Sequence, residues 1–292
     1  MSRRAYTNLR LKASRFPKAT SQSGAVTRTS AAKRKALVKE EEIERLLQLL
    51  GETEDVEDVE LKLTVPDSDQ RSAVIVLDMD VLKAEVRQVV FFDTSDLKLS
   101  RAGIIVRARR ARKGGDAVIK LRPIEPDSLA GRLRHSSDFK VELDVMPGAF
   151  VCSGSLKGKV DNADVKEVIQ GTRPVRKLFS PEQRFLYAEY APKGVDLDSL
   201  TACGPINIVK SKFALKEYEA VAELCFYPDG SRILELSMKC APAKAVHVAA
   251  EARAFLSSRG IDPTGEQQTK TNKALQYFSR LHSNGQQVGA TP

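Results

Sequence analysis

Arg107 and Arg109 stand two residues apart in IVRAR, and the chain repeats that spacing with other charges. Lys120 and Arg122 share IKLR, Lys210 and Lys212 share IVKSK, and Glu142 and Asp144 follow Lys140 in FKVELDV. Asp58, Glu60 and Lys62 alternate through DVELKL, and Glu235, Ser237 and Lys239 through LELSMK. Guanidinium and ammonium groups neutralise phosphate oxygens through charge-assisted hydrogen bonds. Carboxylates are the natural ligands of Mg²⁺, which keeps some of its waters and bridges to phosphates. Basic pairs beside acid pairs therefore suit a polyphosphate held together with a divalent cation. No side chain stands out as a general base.

The element that positions such sets is a β-strand. A period of two places each set on one face, with successive members about 7 Å apart. On an isolated strand that face would ordinarily meet water, since antiparallel sheets often bury only one side. Like charges side by side on a strand are mildly destabilising. Whole strands of one sign thus point to an enclosed polar cavity, with the intervening apolar residues covered by helices.

The turn signals agree. KGGD separates two alternating runs in GIIVRARRARKGGDAVIKLRP, and PDG does the same in EAVAELCFYPDGSRILELSMK, so both read as hairpins of a largely antiparallel sheet. Apolar residues at helical spacing (Ile43, Leu46, Leu47, Leu50) with Gly51 as a stop predict a helix over 31–50. Two more helices are expected in AKAVHVAAEARAFLSSRG and GEQQTKTNKALQYFSRLH, and residues 68–86 fit either helix or strand by periodicity, with a helix preferred. Arg110 and Arg112, near the KGGD tip, are expected to be solvated, and Asp93 and Asp96 to form a turn.

Together, VELKL, VVFFDTSDLKLSRAGIIVRARR, AVIKLRP, FKVELDV, LFSPEQRF and LELSMK resemble the CYTH superfamily, the triphosphate tunnel metalloenzymes, over roughly residues 57–240. FFDTSDLKLSRAG followed by Arg-x-Arg carries most of the resemblance. It implies an α+β fold: a closed, eight-stranded antiparallel β-tunnel with flanking N- and C-terminal helices. The family's opening Glu-x-Glu-x-Lys falls on Asp58, Glu60 and Lys62. The resemblance implies that Asp58, Glu60, Glu142, Asp144 and Glu235 hold Mg²⁺ or Mn²⁺. Lys62, Arg107, Arg109, Lys120, Arg122, Arg184, Lys210, Lys212 and Lys239 would hold the triphosphate. Asp58 replaces the usual first Glu, Ser237 stands where many members carry a second acid, and Lys210 and Lys212 lie on a strand that usually bears acids. These departures leave one metal site expected and do not support a second. The implied activity is divalent-metal-dependent hydrolysis of a triphosphate. The alternatives are a non-catalytic polyphosphate- or nucleotide-binding module and a class IV-type adenylate cyclase.

Composition narrows the partners. The 292-residue chain is 42% hydrophobic and 29% charged, as expected of a soluble globular protein, and has no apolar run long enough to span a bilayer. Its net charge of +9 comes from residues 1–39, which hold 11 Lys and Arg and no acid; the remainder carries 36 Lys and Arg against 38 Asp and Glu. A nucleic-acid partner is not expected, and aromatic residues at 6% with no Trp offer no stacking platform. The scattered Cys152, Cys203, Cys225 and Cys240 and the three histidines lack metal-ligand spacing. Residues 1–33 read as a disordered basic tail, 34–282 as the tunnel domain with its helices, and 283–292 as a flexible C-terminus. A cytoplasmic location is expected, although the first 30 residues also have the composition of an organelle transit peptide.

Overall fold

The computed structural model describes residues 56–283, apart from residues 81, 126–128, 130–132, 134 and 135. The expected basic tail, the helix over 31–50 and the C-terminus from residue 284 lie outside the described residues.

Nine strands form where apolar and polar residues alternate. They are β1 (Asp58–Val65), β2 (Glu85–Asp93), β3 (Ile104–Ala111), β4 (Gly115–Leu121), β5 (Phe139–Met146), β6 (Ala149–Val160), β7 (Thr201–Leu215), β8 (Tyr218–Phe226) and β9 (Arg232–Cys240). They close into a barrel in the order β1-β5-β6-β4-β3-β2-β7-β8-β9, which leaves no free sheet edge. The count is nine where eight was expected. An odd ring cannot alternate direction throughout, so one neighbouring pair must be parallel. That pair is β1 with β5, which places Asp58 beside Glu142 and Glu60 beside Asp144.

The helices are α1 (Gln70–Val76), α2 (Lys98–Arg101), α3 (Asn162–Ile169), α4 (Pro181–Tyr190), α5 (Ala245–Ser258) and α6 (Lys270–Ser283). The helix expected over 68–86 is only the seven-residue α1, and β2 begins at Glu85 within that stretch. In GEQQTKTNKALQYFSRLH the helix starts late, because the Gln267 side chain accepts from the Thr64 backbone N–H at 2.8 Å and ties that stretch to β1. Both hairpins form as expected, with Gly114 and Gly230 at positive φ in the turns.

The barrel is apolar on the outside. Val59, Leu61 and Leu63 of β1 join one buried cluster with Val165 and Val168 of α3, Leu186 and Tyr187 of α4, and Ala245, Val248 and Leu256 of α5. The alternate residues therefore face inward. Lys120 of β4 shows this by reaching Asp144 of β5, although β6 lies between those strands in the sheet.

The two ends of the interior differ. At one end the inward faces carry Val89, Phe91, Ile206, Ile208, Cys225 and Ile233, which pack against Ala274, Leu275 and Phe278 of α6. This helix closes that end. At the other end Asp58, Lys239 and Lys212 are exposed by about half (side-chain exposures of 42%, 49% and 61%). Among the described residues no helix is long and apolar enough to cross a membrane.

Candidate active site

Between the apolar stopper and the exposed rim, the barrel is lined with charge in two groups. The first is built on β1, β5 and β9. Asp144 is fully buried and gathers three cations: Lys62 Nζ at 2.6 Å, Lys120 Nζ at 3.2 Å and Arg122 at 3.5 Å. Burial alone would raise its pKa, but Lys62, Lys120 and Arg122 outweigh burial and hold it well below the usual carboxylate range. Lys62 also meets Glu60 at 3.0 Å, and Lys239 bridges Glu142 and Asp58, the latter at 3.6 Å. Burial disfavours the charge on Lys239, but its hydrogen bond to Glu142 and the nearby acids raise its pKa overall.

The second group is built on β2, β3, β4 and β6. The Asp116 carboxylate accepts from Arg109 Nε at 2.7 Å and lies 3.7 Å from Arg107 and 3.9 Å from Lys157. Arg87 pairs with Glu85 and lies 3.8 Å from Glu223 on β8. This group is incompletely paired: Nε of Arg87, Nε of Arg107 and Oδ1 of Asp116 are buried without a hydrogen-bond partner. Burial, then the charge of Arg109, lowers the pKa of Arg107. Lys210 is half-buried, and burial followed by Arg87 lowers its pKa too.

Asp58, Glu60, Lys62, Arg107, Arg109, Lys120, Arg122, Glu142, Asp144, Lys210 and Lys239 thus face the barrel interior. Three expected members do not join them. Arg184 is exposed on α4, outside the barrel, with its guanidinium donating to the Phe179 carbonyl at 2.9 Å. The neighbouring Gln183 is the buried residue there; it donates to the carbonyls of Ala117 and Leu156, so Arg184, about 100° further round the helix, faces out. Lys212 sits at the rim, paired with Glu219 at 2.7 Å. Glu235 faces inward but lies beside Glu223 in the β8–β9 register, and both carboxylates take Lys270 of α6, Glu235 at 2.7 Å. Burial works against the charge on Lys270, but Glu235 and Glu223 outweigh it and raise its pKa strongly. The same contact holds Glu223 down to about 2, against the effect of burial.

Five contributors went unrecognised in the sequence: Arg87, Asp116, Lys157, Glu223 and Lys270. A signal was present for Lys157, which forms a period-two pair with Lys159 in LKGKV. As for a metal, the oxygens of Asp58, Glu60 and Glu142 come from adjacent strands and suit a hard divalent cation. Among the described residues no three such groups converge on one point, and Lys62 and Lys239 hold the places between them.

Neither a family model nor a curated protein matches this sequence. Solved structures do match in fold. A candidate adenylate cyclase from Bacillus halodurans aligns with a TM-score of 0.54 at 11% identity, over 75% of this chain and 97% of that one. The chain shares its fold with this structure. A candidate adenylyl cyclase from Hippeastrum, described as having a dominant triphosphatase activity, aligns with a TM-score of 0.51 at 17% identity, over 80% of this chain and 98% of that one. In this barrel α6 stoppers one end, and Asp58, Lys212 and Lys239 sit at the open rim.

Proposed function

We propose that the tunnel binds a triphosphate and, with a divalent cation, hydrolyses it. The observation that carries this reading is the cationic surplus of the second group, where Arg87 and Arg107 keep buried Nε–H donors without acceptors. Unmatched buried donors are unfavourable, and phosphate oxygens are the acceptors that planar guanidinium groups suit best.

A linear triphosphate would lie with part of its charge on Arg87, Arg107 and Arg109 and the remainder on Lys120, Arg122 and Lys239. These groups hold the chain in line for attack and neutralise the charge that develops on the equatorial and leaving oxygens. Asp58, Glu60 and Glu142 would hold Mg²⁺ or Mn²⁺, which supplies further neutralisation of phosphoryl charge. Lys62 and Lys239 would move from those carboxylates to phosphate oxygens as the cation takes their place. The attacking water would be activated by position and field. The neighbour described with triphosphatase activity supports this reading by analogy of fold.

A second reading is binding without turnover. It is favoured by one observation: the first-group acids are already matched by lysines and arginines, with no preassembled metal cluster among the described residues. Purified protein incubated with inorganic triphosphate, ATP and thiamine triphosphate, with Mg²⁺ or Mn²⁺, separates the possibilities. Release of orthophosphate supports hydrolysis, and a cyclic nucleotide from ATP indicates cyclisation. Ligand-induced stabilisation without any product indicates a binding module.

A further inference from the structure

We propose that Asp116 is a built-in competitor for the phosphate-binding arginines: its carboxylate holds Arg109 in the empty tunnel and is displaced when a triphosphate arrives. Asp116 thereby sets how strongly an anion must bind to enter, and is a specificity-determining residue. This inference rests on the triphosphate reading above.

Three observations carry it. First, Asp116 is buried and lies opposite Arg109 in the β3–β4 register, well inside the barrel wall. Second, it is only half used. Oδ2 takes Arg109, but Oδ1 is buried without a hydrogen-bond partner, with Arg107 at 3.7 Å. A carboxylate placed purely to fasten the arginines would gain most from engaging both oxygens. Third, it leaves its surroundings unsatisfied. One negative charge lies among Arg107, Arg109 and Lys157, and the donors at Arg107 Nε and Arg87 Nε remain open.

Asp144 shows the contrast, because its two oxygens are shared among Lys62, Lys120 and Arg122, and Ser153 lies within 3.4 Å as well. Asp144 is saturated, whereas Asp116 is a partial occupant. A triphosphate offers the second group several oxygens in place of one, so exchange satisfies donors that Asp116 cannot reach. A small monoanion offers no such gain and does not displace the carboxylate.

The test is calorimetric titration of the full chain with inorganic triphosphate, without metal and at moderate ionic strength. Wild type is compared with Asp116→Asn and Asp116→Glu. The Asn variant should bind about tenfold tighter, equivalent to about 1.4 kcal/mol, and the Glu variant, which keeps a carboxylate, should stay near wild type. In the wild-type protein the Arg109 Nε–H resonance, identified by its loss in Arg109→Lys, should shift when triphosphate saturates, as its acceptor changes from carboxylate to phosphate. This second measurement stands even if the Asn variant fails to fold. Triphosphate that binds wild type and the Asn variant equally, or the Asn variant more weakly, would overturn the role of Asp116; so would binding that leaves the Arg109 resonance unmoved. Triphosphate that binds none of the proteins overturns the reading of the tunnel itself and this inference with it.

Discussion

Asp144 and Asp116 are both buried acids ringed by cations, yet they belong to halves of the tunnel in opposite states. Around β1, β5 and β9 the acids are matched by cations, two of them reaching over from β4 and its end: Asp144 is shared by Lys62, Lys120 and Arg122, and Lys239 spans Asp58 and Glu142. On β2, β3, β4 and β6 the bases exceed the acids, and guanidinium Nε atoms are left buried and unpartnered. The first half is self-satisfied when empty, while the second keeps buried donors unpaired. On the proposed function the halves would have distinct tasks, metal and terminal phosphate in the first and anchoring of the remaining phosphates in the second. The two halves should accordingly respond differently to substitution.

The largest effects are expected where that division is cut directly. Arg107→Ala should weaken metal-free triphosphate binding by about a hundredfold, since truncating a buried, hydrogen-bonded charge removes on the order of 2–5 kcal/mol. Glu60→Gln and Glu142→Gln should each lower metal-dependent turnover by about a hundredfold, while weakening metal-free binding far less. Calorimetry and steady-state rates on the same preparations check both. Loss of metal-free binding in the Gln variants equal to that in Arg107→Ala would erase the distinction between the halves.

The stopper gives the next effect. Glu223 and Glu235 lie side by side with Lys270 against both, so Lys270→Met leaves two buried acids facing each other. Removing one partner of such a cluster costs roughly 3–5 kcal/mol. The melting temperature should fall by about 6 °C or more, and an unchanged melting curve would show that α6 does not seal the barrel through this contact.

Acid pH should expose the same groups more gently. Glu223 is held down to about 2 and Asp144 is also lowered, so each contributes stability above its unfolded-state pKa. For Glu223 that contribution is complete above about pH 4.5, its ordinary value, and drains away as pH falls toward 2. Melting temperature should therefore be flat with respect to these acids near neutrality and fall below about pH 4.5. Lys270→Met should flatten the acid slope, because Glu223 then loses the partner that depresses its pKa.

The smallest effect is expected at Arg184, whose exposed guanidinium donates to the Phe179 carbonyl outside the barrel. Arg184→Ala should leave affinity and turnover within about twofold, and stability within about 0.5 kcal/mol. A large loss of affinity would return that residue to the site.

These residues also show what could be read before the structure. The period-two charge in DVELKL, IVRAR, IKLR and FKVELDV placed most of the lining correctly, because in a closed barrel every strand has one inner and one outer face. The parallel pairing of β1 with β5 had no local signal, since strand partners are chosen by the whole sheet. VVFF in β2 broke the alternation for a physical reason. Its outward residues lie under helices and its inward residues lie under α6, so both faces are apolar. Asp116 was hidden in KGGD, where an acid beside two glycines reads as a turn, although it lies in β4. Lys270 opens a polar helix and looks like a solvated lysine until Glu223 and Glu235, from two other strands, meet it. Arg184 lies on α4, which packs against the outside of the barrel, so neither face of that helix meets the lining.

The central claim is an enclosed cationic tunnel that is short of anions when empty, and thermal stabilisation tests it most directly. With wild-type protein at moderate ionic strength, inorganic triphosphate at about a hundred times its dissociation constant should add about 2.7 kcal/mol to stability and raise the melting temperature by several degrees. Sulfate and monophosphate at equal concentration should do much less, and the combined change Lys120→Ala with Arg122→Ala should abolish the difference. If Arg107, Arg109, Lys120 and Arg122 instead faced open solvent, their charges would be screened over about 8 Å at physiological salt. All three anions would then act weakly and alike, a result that would contradict the tunnel and its site together.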